Sequence, residues 1–240
     1  MRFVGGRFSV WKGITMKFTD DLYTTAKPLW QKSMRHPFIQ ELAAGTLPLA
    51  TFRYYLKQDQ HYLMEFGKLH EIIAAKVTDP QDKGILLAGA GAEDNEETLI
   101  RNDMLNQLTI SQAEIAATPL SPATYKYVTH MYYELNAGSP ARAIAALLPC
   151  YWLYSNIGKQ LSHATSPVPI YQQFIDGYAA DAFTTATTDM IDLVNRESTA
   201  VDAAEQVDMK DAFMKSSEYE LEFWEMAYTK EKWPYESLSI

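Results

Sequence analysis

An acidic residue on the apolar side of a predicted helix is the first sign of chemistry in this sequence. Apolar residues recur at helical spacing from Phe52 to Ile73, and Asp59 stands in the same row. A buried carboxylate that lacks a partner is energetically costly. The position therefore predicts either a paired structural acid or a carboxylate that binds a ligand, and the row alone leaves both interpretations open.

A second acid repeats this pattern towards the carboxyl end of the chain. Glu220 shares a helical row with Phe213 and Phe223. Taken alone, it could be a surface acid on an imperfectly defined row. If both acids lay beside one ligand, they could divide the work, because one carboxylate can bind a basic heterocycle while the other moves protons.

The single cysteine, Cys150, lies in the apolar segment AALLPCYWLY. A lone buried cysteine usually fills core space. As a nucleophile it would need a nearby base, and no histidine is close in sequence, so another helix would have to supply that base. Tyr127, Tyr154 and Tyr178 are likewise expected, one by one, to be packing residues whose hydroxyl groups find a partner.

Metal and phosphate motifs are not found. The chain has no HExxH, and none of its five histidines has a glutamate three residues before it, as the helical ligand pair of di-iron bundles requires. The segment GILLAGAG lacks both the GxGxxG spacing and a preceding strand, which indicates helix packing rather than a phosphate loop.

Helices must position these side chains, because alternation of the strand type is nearly absent. Serine followed by proline at Ser121 and Ser139 marks two helix starts, and Gly138 marks a helix end. The pattern predicts an all-α bundle in one domain. The predicted helices are Thr19–Met34, Pro37–Ala44, Pro48–Val77, Pro80–Leu108, Pro122–Asn136, Pro140–Leu161, Ile170–Tyr178, Asp181–Glu197 and Met209–Lys230.

Composition narrows the class of protein. A formal net charge of −9 argues against nucleic acid and anionic membrane surfaces as partners. One cysteine cannot form an internal disulfide, which fits the reducing cytoplasm. The longest apolar run, 143–154, is too short to span a bilayer. Fifteen tyrosines and five tryptophans are many for this length and indicate pockets or interfaces with polar edges.

The first fifteen residues stand apart from the rest. They contain two arginines without a continuous apolar stretch, which makes a poor signal peptide, and Met16 opens a second plausible start. We expect residues 1–15 to be a flexible extension or a misassigned start, and residues 16–240 to form the domain.

Five segments, in this order, resemble the thiaminase II (TenA) family: HPFIQELAAGTLPLATFRYYLKQD, YKYVTHMY, AALLPCYWLY, YQQFIDGYAADAF and YELEFWEMAY. The resemblance runs from about Met16 to about Trp233 and includes the cysteine that marks one branch of the family. It implies a haem-oxygenase-like helical fold, a homotetramer, and no metal or organic cofactor. His61, beside Asp59, departs from the residue expected there.

The resemblance also implies a reaction and residue roles. The family hydrolyses 4-amino-5-aminomethyl-2-methylpyrimidine to the hydroxymethyl pyrimidine and ammonia, and members also cleave thiamin. By motif, Asp59 would bind the aminopyrimidine, Cys150 would be the nucleophile and Glu220 the acid and base. The positions that would line the pocket are Tyr62, Tyr127, Tyr154 and Tyr178.

Two other functions remain open at this stage. A non-catalytic pyrimidine or thiamin binder would share Asp59 and every tyrosine, and only a test of turnover separates it from the enzyme. An oxidative, cofactor-modifying member of the same fold would want a histidine in the first helix, and Thr19–Met34 contains none.

Overall fold

A computed structural model of the chain describes residues 16–91 and 96–238. All regular structure in these two ranges is helical, with no strand, as the sequence predicts. The helices are α1 (Phe18–Met34), α2 (Pro37–Ala44), α3 (Leu49–Ala74), α4 (Pro80–Gly89), α5 (Glu96–Gln107), α6 (Gln112–Ala116), α7 (Pro122–Ala137), α8 (Pro140–Leu161), α9 (Pro169–Ala179), α10 (Asp181–Thr199) and α11 (Ala203–Thr229), followed by a 3-10 turn at Pro234–Ser237.

The predicted helix starts at serine-proline pairs are confirmed. The Ser121 hydroxyl accepts a hydrogen bond from the backbone N–H of Thr124, and the Ser139 hydroxyl accepts one from Arg142. Each serine satisfies an amide that the first turn of a helix leaves without a partner. These caps fix where α7 and α8 begin, and thereby the direction in which Tyr127 and Cys150 point.

The predicted single helix Pro80–Leu108 is wrong, because α4 ends at Gly89 and α5 begins at Glu96. Gly91 has a φ of 79°, a left-handed conformation that glycine adopts without steric cost and that an α-helix cannot continue through. The last helix was also predicted too short, since α11 begins at Ala203 behind an Asp202 cap. The short helix α6 was not predicted.

The core is built around α8, which packs against α7, α9, α10 and α11. Every residue from 143 to 149 is buried, so this part of α8 is enclosed around its whole circumference. Helix α3 packs on the other side of the site, against α4, α7 and α11. The catalytic candidates on α3, α8 and α11 therefore lie on helices that pack against several others.

Within residues 16–91 and 96–238, no helix combines the length and apolarity that crossing a membrane requires. The expectation for residues 1–15 falls outside the described residues.

Candidate active site

One cavity of about 200 Å³ receives side chains from α3, α7, α8, α9 and α11. The seven residues selected from the sequence all line it, although they are spread over most of the chain. They are Asp59, Tyr62, Tyr127, Cys150, Tyr154, Tyr178 and Glu220. The two acids and the cysteine thus share one space large enough for a single heterocycle.

Glu220 is a buried acid with a neutral partner. Its side chain projects from α11, is only 2% exposed, and accepts a hydrogen bond from the Tyr127 hydroxyl at 2.8 Å. Burial raises the pKa of Glu220 to about 8; the Tyr127 hydrogen bond acts in the opposite direction, and the negative charge of Asp59 adds to the rise. A carboxyl group with this pKa can both donate and accept a proton near neutral pH.

Asp59 is a buried acid with a cationic partner. It is 5% exposed, and its Oδ2 lies 3.7 Å from Nε of Arg101 on α5. The Tyr55 hydroxyl is 3.5 Å from the other carboxylate oxygen, and it also contacts the Tyr154 hydroxyl at 3.3 Å. A neighbouring guanidinium favours the ionised carboxylate, so Asp59 is prepared to accept hydrogen bonds from a ligand.

Cys150 is partly buried on α8 and lines the same cavity as Glu220. After burial, a negative charge on Cys150 is the largest cause that raises the pKa of Tyr62 well above its usual value, and it contributes to the same rise at Tyr127. Both phenols therefore stay protonated and can donate hydrogen bonds. No histidine is among the described residues that line this cavity, which leaves carboxylates as the bases in reach.

Aromatic rings form the walls. The ring centres of Tyr62 and Tyr127 are 4.8 Å apart, and those of Tyr154 and Tyr178 are 4.7 Å apart. Gly158 on α8 permits the second pair, because any side chain there would clash with the carbonyl group of Tyr178. The two pairs give the cavity flat apolar faces that suit a planar heterocycle.

Several residues in or beside the cavity were not singled out from the sequence as site residues. Tyr55 stands behind the lining, where its hydroxyl contacts Asp59 and Tyr154, and it belongs to the same helical row as Asp59. Arg101 had no such signal, because α5 lacks a clear apolar side and only the fold brings it to Asp59. Asp189 on α10 also lines the cavity and is exposed.

Tyr151 is another lining residue that was missed, and a buried histidine fixes it. Its hydroxyl is 2.9 Å from Nε2 of His70, whose Nδ1 lies 2.8 Å from the carbonyl oxygen of Phe66. Since a carbonyl only accepts, Nδ1 carries the proton and Nε2 accepts from Tyr151. Burial lowers the pKa of His70 to about 4, which keeps this arrangement neutral at physiological pH.

His61 does not reach the ligand space, although it follows Asp59 closely in sequence. Its Nε2 lies 2.8 Å from the carbonyl oxygen of Thr118 and 3.1 Å from that of Ile115. The ring thus ties α3 to the segment between α6 and α7. Within residues 16–91 and 96–238, no group of three or more histidine, cysteine or acidic side chains is arranged to hold a metal ion.

The chain is similar to known proteins over most of its length. The model of the TENA/THI-4/PQQC family matches residues 23–230. The aminopyrimidine aminohydrolase of Bacillus subtilis is 38% identical over 221 residues, which cover 91% of this chain and 92% of that protein. The solved structure of a TenA homologue from P. horikoshii superposes with a TM-score of 0.81 at 25% identity, covering 89% of this chain and 99% of the other.

The fold expected from the resemblance is confirmed as well. A Shewanella denitrificans domain described as having a haem-oxygenase-like fold superposes with a TM-score of 0.66 at 15% identity, over 88% of this chain and 92% of that domain. The fold is therefore all-α and haem-oxygenase-like. Since the family match spans most of the sequence, the chain belongs to the TENA/THI-4/PQQC family.

Proposed function

We propose that this protein hydrolyses 4-amino-5-aminomethyl-2-methylpyrimidine to 4-amino-5-hydroxymethyl-2-methylpyrimidine and ammonia, as an enzyme of thiamin salvage. The observation that carries the proposal is the convergence of Cys150, Glu220 and Asp59 on one aromatic cavity. The name of the Bacillus subtilis relative supports the substrate class.

Asp59 binds the ring in this proposal. Only one edge of the pyrimidine presents two adjacent donors, the 4-amino group and the neighbouring ring nitrogen N3 once it is protonated. An ionised carboxylate accepts both hydrogen bonds side by side. Arg101 favours the ionised form of Asp59, and the tyrosine pairs hold the two faces of the ring.

Cys150 supplies the nucleophile. Its thiolate adds to C6 of the protonated ring, and the electron pair of the attacked C=N bond moves to the ring nitrogen. The lone pair of the 4-amino nitrogen then drives formation of an exocyclic C5=CH2 double bond. The bond from the methylene to the amine breaks, and the amine nitrogen leaves with that electron pair.

Glu220 transfers the protons. Its carboxylic acid gives a proton to the departing amine, which leaves as ammonia, and the resulting carboxylate takes a proton from water. The water oxygen adds to the methylene, electrons return through the ring, and the S–C6 bond breaks to restore the thiolate. A pKa of about 8 suits both steps, because each form of Glu220 is populated near neutral pH.

We extend the proposal to thiamin, in which a thiazolium replaces the amine on the same methylene. The thiazole departs as a neutral ring, so this cleavage does not need the proton from Glu220. Beyond the cysteine, the cavity continues between apolar side chains that can accommodate such a ring. They are Leu63, Phe66, Ile85, Ala88 and Met190.

The test is release of ammonia and hydroxymethyl pyrimidine from the aminomethyl pyrimidine, with thiamin in parallel. Cys150→Ser changes one atom of the nucleophile, and Gln160→Ser, at an exposed position of the same helix, is the matched control. We expect the first variant to lose at least a thousandfold in kcat, roughly the extent seen when a covalent nucleophile is removed. The second should retain wild-type activity.

Two results would contradict the proposal. Full turnover by Cys150→Ser would remove cysteine chemistry. Tight binding of either pyrimidine by folded wild-type protein without any turnover would instead make the chain a binding protein, and helical circular dichroism establishes folding in each case.

We also propose that the protein acts in the cytoplasm as a homotetramer and without nucleic acid. The resemblance supports the assembly, and exposed apolar side chains on α3 and α7, Met64 and Tyr133 among them, offer surface for it. The acidic net charge of −9 supports the exclusion of nucleic acid. Light scattering coupled to size-exclusion chromatography should give four times the monomer mass, and a monomer would refute the assembly.

A further inference from the structure

A second cavity, of about 120 Å³, adjoins the active site on the far side of Asp59; we call it the annex. Cys150 and Glu220 line only the first space, whereas five residues line both: Asp59, Arg101, Tyr178, Phe183 and Ala186. The remaining described residues of the annex wall are apolar. They are Leu56, Ile100, Met104, Phe174, Gly177, Ala180 and Ala182.

The shape of the pyrimidine relates the annex to the proposed substrate. When the 4-amino group and N3 face Asp59, the carbons on either side of this edge are C5 and C2. These carbons stand opposite each other across the ring. If the C5 methylene points towards Cys150 and Glu220, the substituent at C2 must point away from them, along the side of Asp59 that leads to the annex.

We propose that the annex is the subsite for the C2 substituent, and that this chain accepts 4-amino-5-aminomethylpyrimidines whose 2-alkyl group is longer than methyl. This inference rests on the proposed hydrolase function. It defines the substrate class at a ring position that takes no part in the chemistry.

The size and polarity of the annex agree with an alkyl occupant. An apolar cavity of about 150 Å³ holds a benzene molecule, so a space of this order accommodates an ethyl or propyl chain. Each methylene transferred from water to an apolar wall improves binding by about fourfold. Among the described residues that line the annex, the charged ones are Asp59 and Arg101, which the ring edge covers in the proposed complex.

The experiment compares kcat/KM for the 2-methyl, 2-ethyl and 2-propyl compounds with the wild-type enzyme. We expect the 2-propyl compound to be turned over with a kcat/KM equal to or above that of the 2-methyl compound. A drop of more than tenfold, with normal turnover of the 2-methyl compound, would overturn this inference alone. No turnover of any of the three would overturn the hydrolase proposal as well.

Gly177 offers a matched pair of variants, because it lines the annex and not the first cavity. A Cβ at this position would lie 3.8 and 3.9 Å from two carbons of Ile100, which is ordinary contact, so alanine fits. Gly177→Leu should fill the annex and lower kcat/KM for the 2-propyl compound at least tenfold, with less than threefold effect on the 2-methyl compound. Gly177→Ala should change kcat/KM by less than threefold for both compounds. An equal loss for both compounds in Gly177→Leu would overturn the assignment.

Discussion

The two buried carboxyl groups of the cavity lie in different electrostatic surroundings. Glu220 has a phenol as its hydrogen-bond partner and a pKa raised to about 8, chiefly by burial. Asp59 is almost as buried but faces the guanidinium of Arg101. Burial favours the protonated form of any acid, and a cation restores the ionised form. The partner, rather than the depth of burial, therefore separates the two roles.

This difference explains how one small space can hold an acid and a base at the same pH. An ionised Asp59 can only accept hydrogen bonds, which suits recognition of a protonated ring edge. A carboxyl group that is protonated about half the time at its pKa suits proton transfer. The two carboxyl groups are also linked, since the charge on Asp59 raises the pKa of Glu220 further.

The largest expected effect comes from replacing Glu220, the carboxyl group that exchanges protons. Glu220→Gln keeps a side-chain oxygen that can accept the hydrogen bond from Tyr127 but cannot transfer protons. We expect kcat for the aminomethyl pyrimidine to fall by about 10²–10⁴-fold with KM little changed. Steady-state kinetics measures this. Thiamin is the comparison substrate, because its leaving group needs no proton while its hydrolysis still needs water to be deprotonated. We expect a smaller loss with thiamin, and an equal loss on both substrates would contradict a proton-donor role and leave Glu220 only the activation of water.

The same variant should change how stability depends on pH. The pKa of Glu220 is raised from 4.5 to about 8 in the folded state, so its stabilising contribution is complete below pH 4.5 and is lost as the pH rises towards 8. The Glu220→Gln variant has no carboxyl group at this position, so its stability does not fall for this reason as the pH rises. Urea unfolding should show the stability of the variant gaining on that of the wild type by roughly 4 kcal/mol between these two pH values. A constant difference across the range would mean that Glu220 is ionised in the fold.

A smaller effect on activity is expected when Arg101, the cation beside Asp59, is replaced. Arg101→Gln removes the cation from Asp59, so the ionised carboxylate loses its partner. We expect KM to rise by about 30-fold with kcat within threefold, because the carboxylate that binds the ring edge loses its positively charged neighbour. Arg101→Lys should restore part of the lost KM, because it returns the charge.

A purely structural role for Arg101 would give another pattern. The described groups that interact with Asp59 include Tyr55 from α3, Arg101 from α5, Tyr154 from α8 and Glu220 from α11, and Arg101 is the cation of this set. If Arg101→Gln lowered the stability of the fold without raising KM, and Arg101→Lys restored no substrate binding, the comparison between the two carboxyl groups would fail.

Local signals in the sequence predicted much of the fold. Serine-proline pairs marked the starts of α7 and α8, and helical rows placed Asp59 and Glu220 on buried sides. Such signals depend on neighbours within one or two turns. The break after Gly89 was missed because the same glycines also fit a continuous helix, and only the left-handed Gly91 decides the matter.

Contacts between helices could not be predicted in this way. That Glu220 meets Tyr127, or that Arg101 meets Asp59, depends on how α11 packs on α7 and where α5 lies after the break. The pattern of residues within one helix does not show which side chains of another helix it will contact. The family resemblance supplied the site residues, but it did not supply Arg101, His70 or the annex.

The burial of residues 143–149 on α8 has a consequence for how this protein can diversify. The helix that carries Cys150 also fills the core, and replacing buried side chains on such a helix typically costs several kcal/mol. Most of its neighbours are therefore constrained by stability before any demand of catalysis applies. By contrast, Gly177 on α9 and exposed Ala182 on α10 border the annex with room to change. Selection for new substrates would thus act mainly on the annex, while the reaction itself stays fixed in the core.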